Sequence, residues 1–210
     1  MQLSKTDFLM RLFYTPNSPY ARIARVTTLE LNLGKQVQMQ KVTVRDHNSY
    51  LLNYNPTGKV PTLETNDGFI LSETRIICAY LNHLNDEIKV VADISDQLSQ
   101  QFEGIASGFL DGIAVWVREQ RRPPSEQSPG VIELEQLRAL RCIDHFERLA
   151  DRLNQSPKLG HIILGCALGM EARLAEFQWR QHHPRLANWY DEFSRRLSMQ
   201  ATVPEVSILF

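Results

Sequence analysis

Every segment of this chain that reads as a β-strand lies within the first 72 residues; from Asn85 onward only helical periodicity remains. Strands need partners within a sheet, so the early segments must pair among themselves. The later ones can only pack helix on helix. Arg11-Leu12-Phe13-Tyr14 is a short aromatic and apolar run stopped by Thr15-Pro16-Asn17, a strand followed by a turn. Ser18 suits a helix N-cap, and Pro19 stands at the first helical position, where its missing N–H costs nothing. Ile23, Val26, Leu29 and Leu33 keep helical spacing, with Gly34 as the expected C-cap. Val37, Met39, Val42 and Val44 alternate with one phase slip, a second strand with a bulge or an early end.

Residues 45–55 are polar and irregular. Val60 to Glu64 and Phe69 to Leu71 then flank Asn66-Asp67-Gly68, a strong hairpin signal. From Glu73, the set Ile76, Ile77, Tyr80, Leu81 and Leu84 has helical spacing. The order is βαβ, then ββα, which makes residues 10–85 an α/β domain. A charged connector, 86–94, leads into an all-α domain, 95–210. Leu98, Phe102, Ile105, Phe109, Ile113 and Trp116 predict one long amphipathic helix, broken at Arg121-Arg122-Pro123-Pro124. A second runs from about Val131 to Leu153 with Leu137, Leu140, Ile143, Phe146, Leu149 and Leu153 inward. Ile162 to Met170 is apolar all round, as expected of a helix in the middle of a bundle, and Pro184 opens another carrying Leu186, Trp189, Tyr190 and Phe193. Gly165 and Gly169 stand four apart, a spacing that in a helical bundle allows close packing. Met1 to Leu9 precede a second methionine, Met10, and read as an extension or a mis-set start.

A net charge of −1 gives no general pull toward nucleic acid or an anionic membrane. Arg118, Arg121 and Arg122 form one local basic cluster, which reads as solvated surface or a salt bridge. Cys78, Cys142 and Cys166 are scattered without CxxC or paired histidine spacing, so reduced buried thiols are expected, with no disulfide framework and no metal. There is no signal-peptide pattern, and the longest apolar run is too short to span a bilayer, so the expectation is a soluble cytoplasmic protein.

Two stretches carry the chemistry: Asn55-Pro56-Thr57-Gly58-Lys59-Val60-Pro61-Thr62-Leu63, and Ser72-Glu73-Thr74-Arg75. Val60-Pro61, entering a strand after a glycine turn, is a candidate cis peptide that would leave the Val60 N–H and C=O free to pair with an extended ligand. Glu73 and Thr74 open a helix whose N–H groups and dipole favour an anion. Thr74 is suited to a carboxylate, Glu73 to an ammonium, and Lys59 to a second carboxylate. Ser18 marks another helix N-terminus. A thiol placed there meets a hydroxyl donor and the helix dipole, both of which favour the thiolate and lower its pKa from roughly 8.5.

These residues resemble the glutathione transferase superfamily. The likeness covers nearly the whole chain: Leu12 to Arg22, Asn55 to Leu63, Glu73 to Leu81 and, in the helical half, Gly108-Phe109-Leu110-Asp111, Arg118-Glu119, Leu164 to Leu168 and His183-Pro184 to Trp189-Tyr190 look like bacterial members. The resemblance implies a thioredoxin-like N-terminal domain, a helical C-terminal domain, glutathione as co-substrate and a homodimer. It further implies Ser18 as the donor to the glutathione thiolate, with Val60 and Pro61 on the cysteinyl backbone. Glu73 and Thr74 would hold the γ-glutamyl end, and Lys59 the glycyl carboxylate. The implied activity is conjugation of the thiolate to small hydrophobic electrophiles, a detoxifying reaction.

Tyr14, at the end of the first strand, is an alternative thiol donor. Phe109 and Trp116 are candidates for lining an electrophile pocket, or else are core residues. Ser18 is not a cysteine, which argues against the branch that works through mixed disulfides, and Thr15–Tyr20 lacks the Ser-pair, Cys and Trp pattern of the isomerase branch. The family's Ser/Thr-x-x-Asp capping box at the buried helix is replaced by Lys158-Leu159-Gly160-His161, leaving that helix without its expected cap. The competing class is a non-catalytic member of the same fold, acting as a protein-interaction or stress-regulatory module.

Overall fold

The computed structural model describes residues 9–153 and 156–205; the reading of residues 1–9 as an extension lies, Leu9 apart, outside them. Two compact units are present. The first comprises the described residues up to Val91 together with Ala201–Glu205, and the second comprises Ala92–Gln200.

The first unit has the order expected of a thioredoxin-like domain. Strand β1 (Met10–Tyr14) is followed by helix α1 (Pro19–Glu30) and β2 (Val37–Lys41), then β3 (Thr62–Glu64), β4 (Ile70–Ser72) and helix α2 (Thr74–His83). The sheet runs β2-β1-β3-β4, with β2 parallel to β1 and both other pairs antiparallel. Leu12, Phe13 and Leu63 are fully enclosed, with Ile23, Ala24 and Val26 of α1 and Ile77, Cys78 and Leu81 of α2 also buried.

Two local readings, the end of α1 and the outward face of α2, are corrected here, and for β2 the early end is the one of its two alternatives that occurs. Helix α1 ends at Glu30, before Gly34. Asn32 takes the left-handed position at φ 57°. The Asn32 N–H then reaches the Leu29 carbonyl and the Leu33 N–H the Thr28 carbonyl, a Schellman closure in which asparagine replaces the usual glycine. The strand β2 ends at Lys41, before Val42 and Val44. In α2, Ile76 and Leu84 point outward, because the buried stripe is set by Thr74, Ile77, Cys78 and Leu81.

In the second unit, α3 (Gln97–Gln120) packs against α4 (Pro129–Leu149) and α5 (Leu159–Leu168); α6 (Pro184–Ser194) and α7 (Leu197–Gln200) follow. Every α5 residue except His161 is buried, as an all-apolar helix requires. Leu98, Leu137 and Leu140 are exposed, contrary to expectation. The inward stripe of α4 is Glu135, Ala139, Ile143 and Phe146. The phase is set by the approach to α3, where a Cβ at Gly112 would lie 2.6 Å from Glu135 Oε2. The buried Glu135 carboxylate is neutralised by Arg138 at 2.6 Å, so a charged residue holds the place that leucine periodicity would have claimed. Gly165 sits against the ring of Phe193, where a Cβ would come within 2.7 Å, while Gly169 merely follows the end of α5. No helix among the described residues is long and apolar enough to cross a membrane.

Candidate functional site

Strand β1 delivers the chain at Tyr14 into the turn Thr15–Ser18, closed by the Ser18 N–H on the Thr15 carbonyl at 3.2 Å. Ser18 is extended (φ −82°, ψ 117°), and its Oγ accepts the Ala21 N–H at 3.1 Å, as an N-cap should. The hydroxyl thus spends a lone pair on the helix and keeps its own proton to donate elsewhere. Tyr14 is half-buried, with the Arg25 guanidinium 4.3 Å from its ring centroid. Its π-face is therefore occupied by a cation.

The Val60-Pro61 peptide is cis. Pro61 is buried, Val60 half-buried and Lys59 exposed. Gly58, which starts this turn, has φ 61°, a conformation that a Cβ would strain.

Glu73 stands at φ 77°, ψ 132°, a sparsely populated region for a residue with a side chain, costing on the order of 1–3 kcal/mol. Its exposed carboxylate accepts the Arg75 N–H at 3.0 Å, and its carbonyl accepts the Ile77 N–H at 3.1 Å. Thr74 begins α2 and is buried.

Strand register brings these pieces together. Phe13 pairs with Thr62, and Thr62 pairs with Ser72. The end of β1, the start of β3 and the end of β4 therefore share one edge of the sheet. Ser18, Val60-Pro61 and Glu73-Thr74 all leave the sheet from that edge, and two of them lie at the N-termini of α1 and α2, where partial positive charge collects. Exposed N–H groups and helix dipoles at that edge favour an anionic group there. Asn55, which lies inside the motif without a role assigned by its residue type, is buried at the base of this turn. The Asn-Pro-x-Gly spacing is a signal for a side-chain-closed turn.

Phe109 and Trp116 belong to the helical unit, 1% and 3% exposed, with rings against Phe146 and Phe177. That is the packing of core residues. The Trp116 indole N–H has no hydrogen-bond partner among the described residues. Nor do those residues contain a group of three His, Cys, Asp or Glu side chains able to hold a metal ion.

A family model described as the glutathione S-transferase N-terminal domain matches residues 12–88. A crystal structure of a glutathione S-transferase from Methylobacillus flagellatus, with glutathione bound, superposes with a TM-score of 0.85 at 32% identity, covering 93% of this chain and 100% of that one. The chain belongs to the glutathione S-transferase superfamily. A second superfamily member, from Pseudomonas fluorescens Pf-5 and also with bound glutathione, is 28% identical with a TM-score of 0.85, covering 94% and 100% of the two chains. An uncharacterized GST-like protein of Escherichia coli K12, YibF, is 27% identical over 203 residues, 93% of this chain and 98% of its own. Within this superfamily member, the edge that carries Ser18, Val60 and Glu73 falls wholly inside the matched N-terminal domain.

Proposed function

We propose that this superfamily member is a glutathione transferase of the serine type, conjugating glutathione to small hydrophobic electrophiles. The observation that carries the reading is the Ser18 hydroxyl. It is oriented by the Ala21 N–H at the start of α1, retains its proton, and leaves from the same sheet edge as Val60 and Glu73-Thr74. The glutathione-bound relatives support it.

In this reading Ser18 donates to the thiol sulfur and, with the α1 dipole, favours the thiolate. The Val60 N–H and C=O pair with the cysteinyl backbone like an added strand. Thr74 meets the γ-glutamyl carboxylate, Glu73 its ammonium, and Lys59 the glycyl carboxylate. The sulfur lone pair then forms a C–S bond to the electrophile, whose leaving group departs with its electron pair. Tyr14 is the rival donor; the Arg25 cation across its ring assigns it a packing role in this reading. The same reading takes residues 10–85 as the glutathione domain and 95–210 as the helical domain, in a cytoplasmic homodimer.

Calorimetric titration with reduced glutathione, followed by turnover with a chloronitroarene, tests this. Micromolar to low-millimolar affinity and Ser18-dependent turnover are expected. Binding without turnover across a panel of electrophiles would turn the reading toward the interaction module.

A further inference from the structure

Asn55 is 3% exposed, and its amide is committed at both ends within a single loop. Oδ1 accepts the Thr57 N–H at 3.0 Å and the Thr57 hydroxyl at 2.8 Å. Nδ2 donates to Thr62 Oγ1 at 2.8 Å and to the Lys59 carbonyl at 3.3 Å. The Thr62 hydroxyl donates to that same carbonyl at 2.8 Å. Behind them, the Asn55 N–H is fixed to the Leu51 carbonyl at 2.9 Å. Tyr54, which closes the turn Tyr50–Asn53, is tied to the sheet: it accepts from Arg11 at 2.9 Å, and Arg11 also donates to Glu64, which faces it across the β1–β3 pair, at 2.6 Å.

The Lys59 carbonyl matters because it belongs to the same rigid plane as the Val60 N–H. In a trans peptide the two groups point in opposite directions. Two donors hold the Lys59 carbonyl toward the loop interior, so the Val60 N–H is turned away from that interior.

We infer that Asn55, acting through Thr62 and the Lys59 carbonyl, is the positioning residue that presents the Val60 N–H to the ligand. This rests on the glutathione reading above. Asn55 touches no reacting atom in it, so its effect falls on affinity and leaves activation of the thiol to Ser18.

The test compares wild type, Asn55→Ala and the near-isosteric Thr62→Val by calorimetry with reduced glutathione, by steady-state kinetics, and by ultraviolet titration of the bound thiol. The expected result is a Kd about tenfold weaker for Asn55→Ala and ~3-fold weaker for Thr62→Val. The loss in kcat/KM should reside in KM, and the pH midpoint of the bound thiol should not move. Thr62→Val decides the matter if Asn55→Ala does not fold. Wild-type Kd in the folded variants would overturn the positioning role and leave the glutathione reading standing. A shifted thiol midpoint, or loss confined to kcat, would overturn it too. Absence of glutathione binding by the wild type would overturn both.

Discussion

The backbone N–H of Lys158 donates to Nδ1 of His161 at 3.1 Å, across the first turn of α5. An imidazole nitrogen accepts only while it carries no proton. Burial, with a smaller repulsion from the Lys158 ammonium, pushes the His161 pKa down to about 4. A neutral histidine thus completes the returning half of a capping box, in the place where the family pattern uses aspartate. The helix that lacked a cap by sequence has half of one by structure.

Stability should therefore depend on pH through His161. Its folded pKa, about 4, lies below the unfolded value near 6.5. Between those values the unfolded chain binds more protons, so stability rises with pH, is fully present above ~6.5 and is lost as pH falls toward 4. The contribution is at most on the order of 3 kcal/mol. Denaturant midpoints measured across this window should slope upward, and His161→Asn, which keeps an acceptor and cannot titrate, should flatten them. An unchanged slope in the variant would assign the pH dependence to other groups.

Ser18→Ala should raise the pKa of the bound thiol and cut turnover at neutral pH, with glutathione affinity kept within about a few-fold, since one of several contacts is lost. Loss of the Ala21 cap should also cost about 1 kcal/mol of stability. Turnover equal to wild type would remove Ser18 from the mechanism, and the parallel Tyr14→Phe variant would show whether the phenol replaces it.

Thr74→Val should weaken glutathione binding by about 1–3 kcal/mol, the value of a hydrogen bond to a charged group. Calorimetry reads this directly. Undiminished affinity would place the ligand carboxylate somewhere other than the start of α2.

Gly160→Ala should destabilise the helical unit. The added Cβ would stand 2.6 Å from Phe102 Cδ1 and 3.2 Å from the Glu103 Cα, and the second of these is backbone that cannot swing aside. Overpacking of this kind costs about 1–3 kcal/mol, a drop of roughly 2–12 °C in a calorimetric Tm. A Tm at or above wild type would show that α3 and α5 can separate without penalty.

Local signals carried much of the fold. Ser18-Pro19 opened a helix, Asn66-Asp67-Gly68 joined β3 to β4, and the all-apolar Ile162 to Leu168 run was buried in α5 as its composition required. What failed was phase and competition between neighbours. Asn32 and Gly34 are both able to end a helix, and closure against Thr28 and Leu29 selected the asparagine. Apolar residues line more than one face of α4, and the tight approach of Gly112 to Glu135 chose the stripe that does not contain Leu137 and Leu140. At the candidate site, the residue types were legible, but their meeting at one edge depends on the pairing of Phe13 with Thr62 and Thr62 with Ser72, which no local pattern states.

Residues 201–205 belong with the first unit, though more than a hundred residues of the second separate them from it. Thr202 is buried, with its Oγ1 accepting from Arg22 Nε at 3.4 Å, and Lys41 pairs with Glu205 at 2.8 Å. During synthesis the sheet and its two helices emerge first, more than a hundred residues ahead of Thr202, one of the contacts of the buried Arg22. The nascent N-terminal unit therefore lacks this contact, and the Lys41–Glu205 pair, until residues 201–205 have been made. An expression fragment cut near residue 91 would be held permanently at that stage.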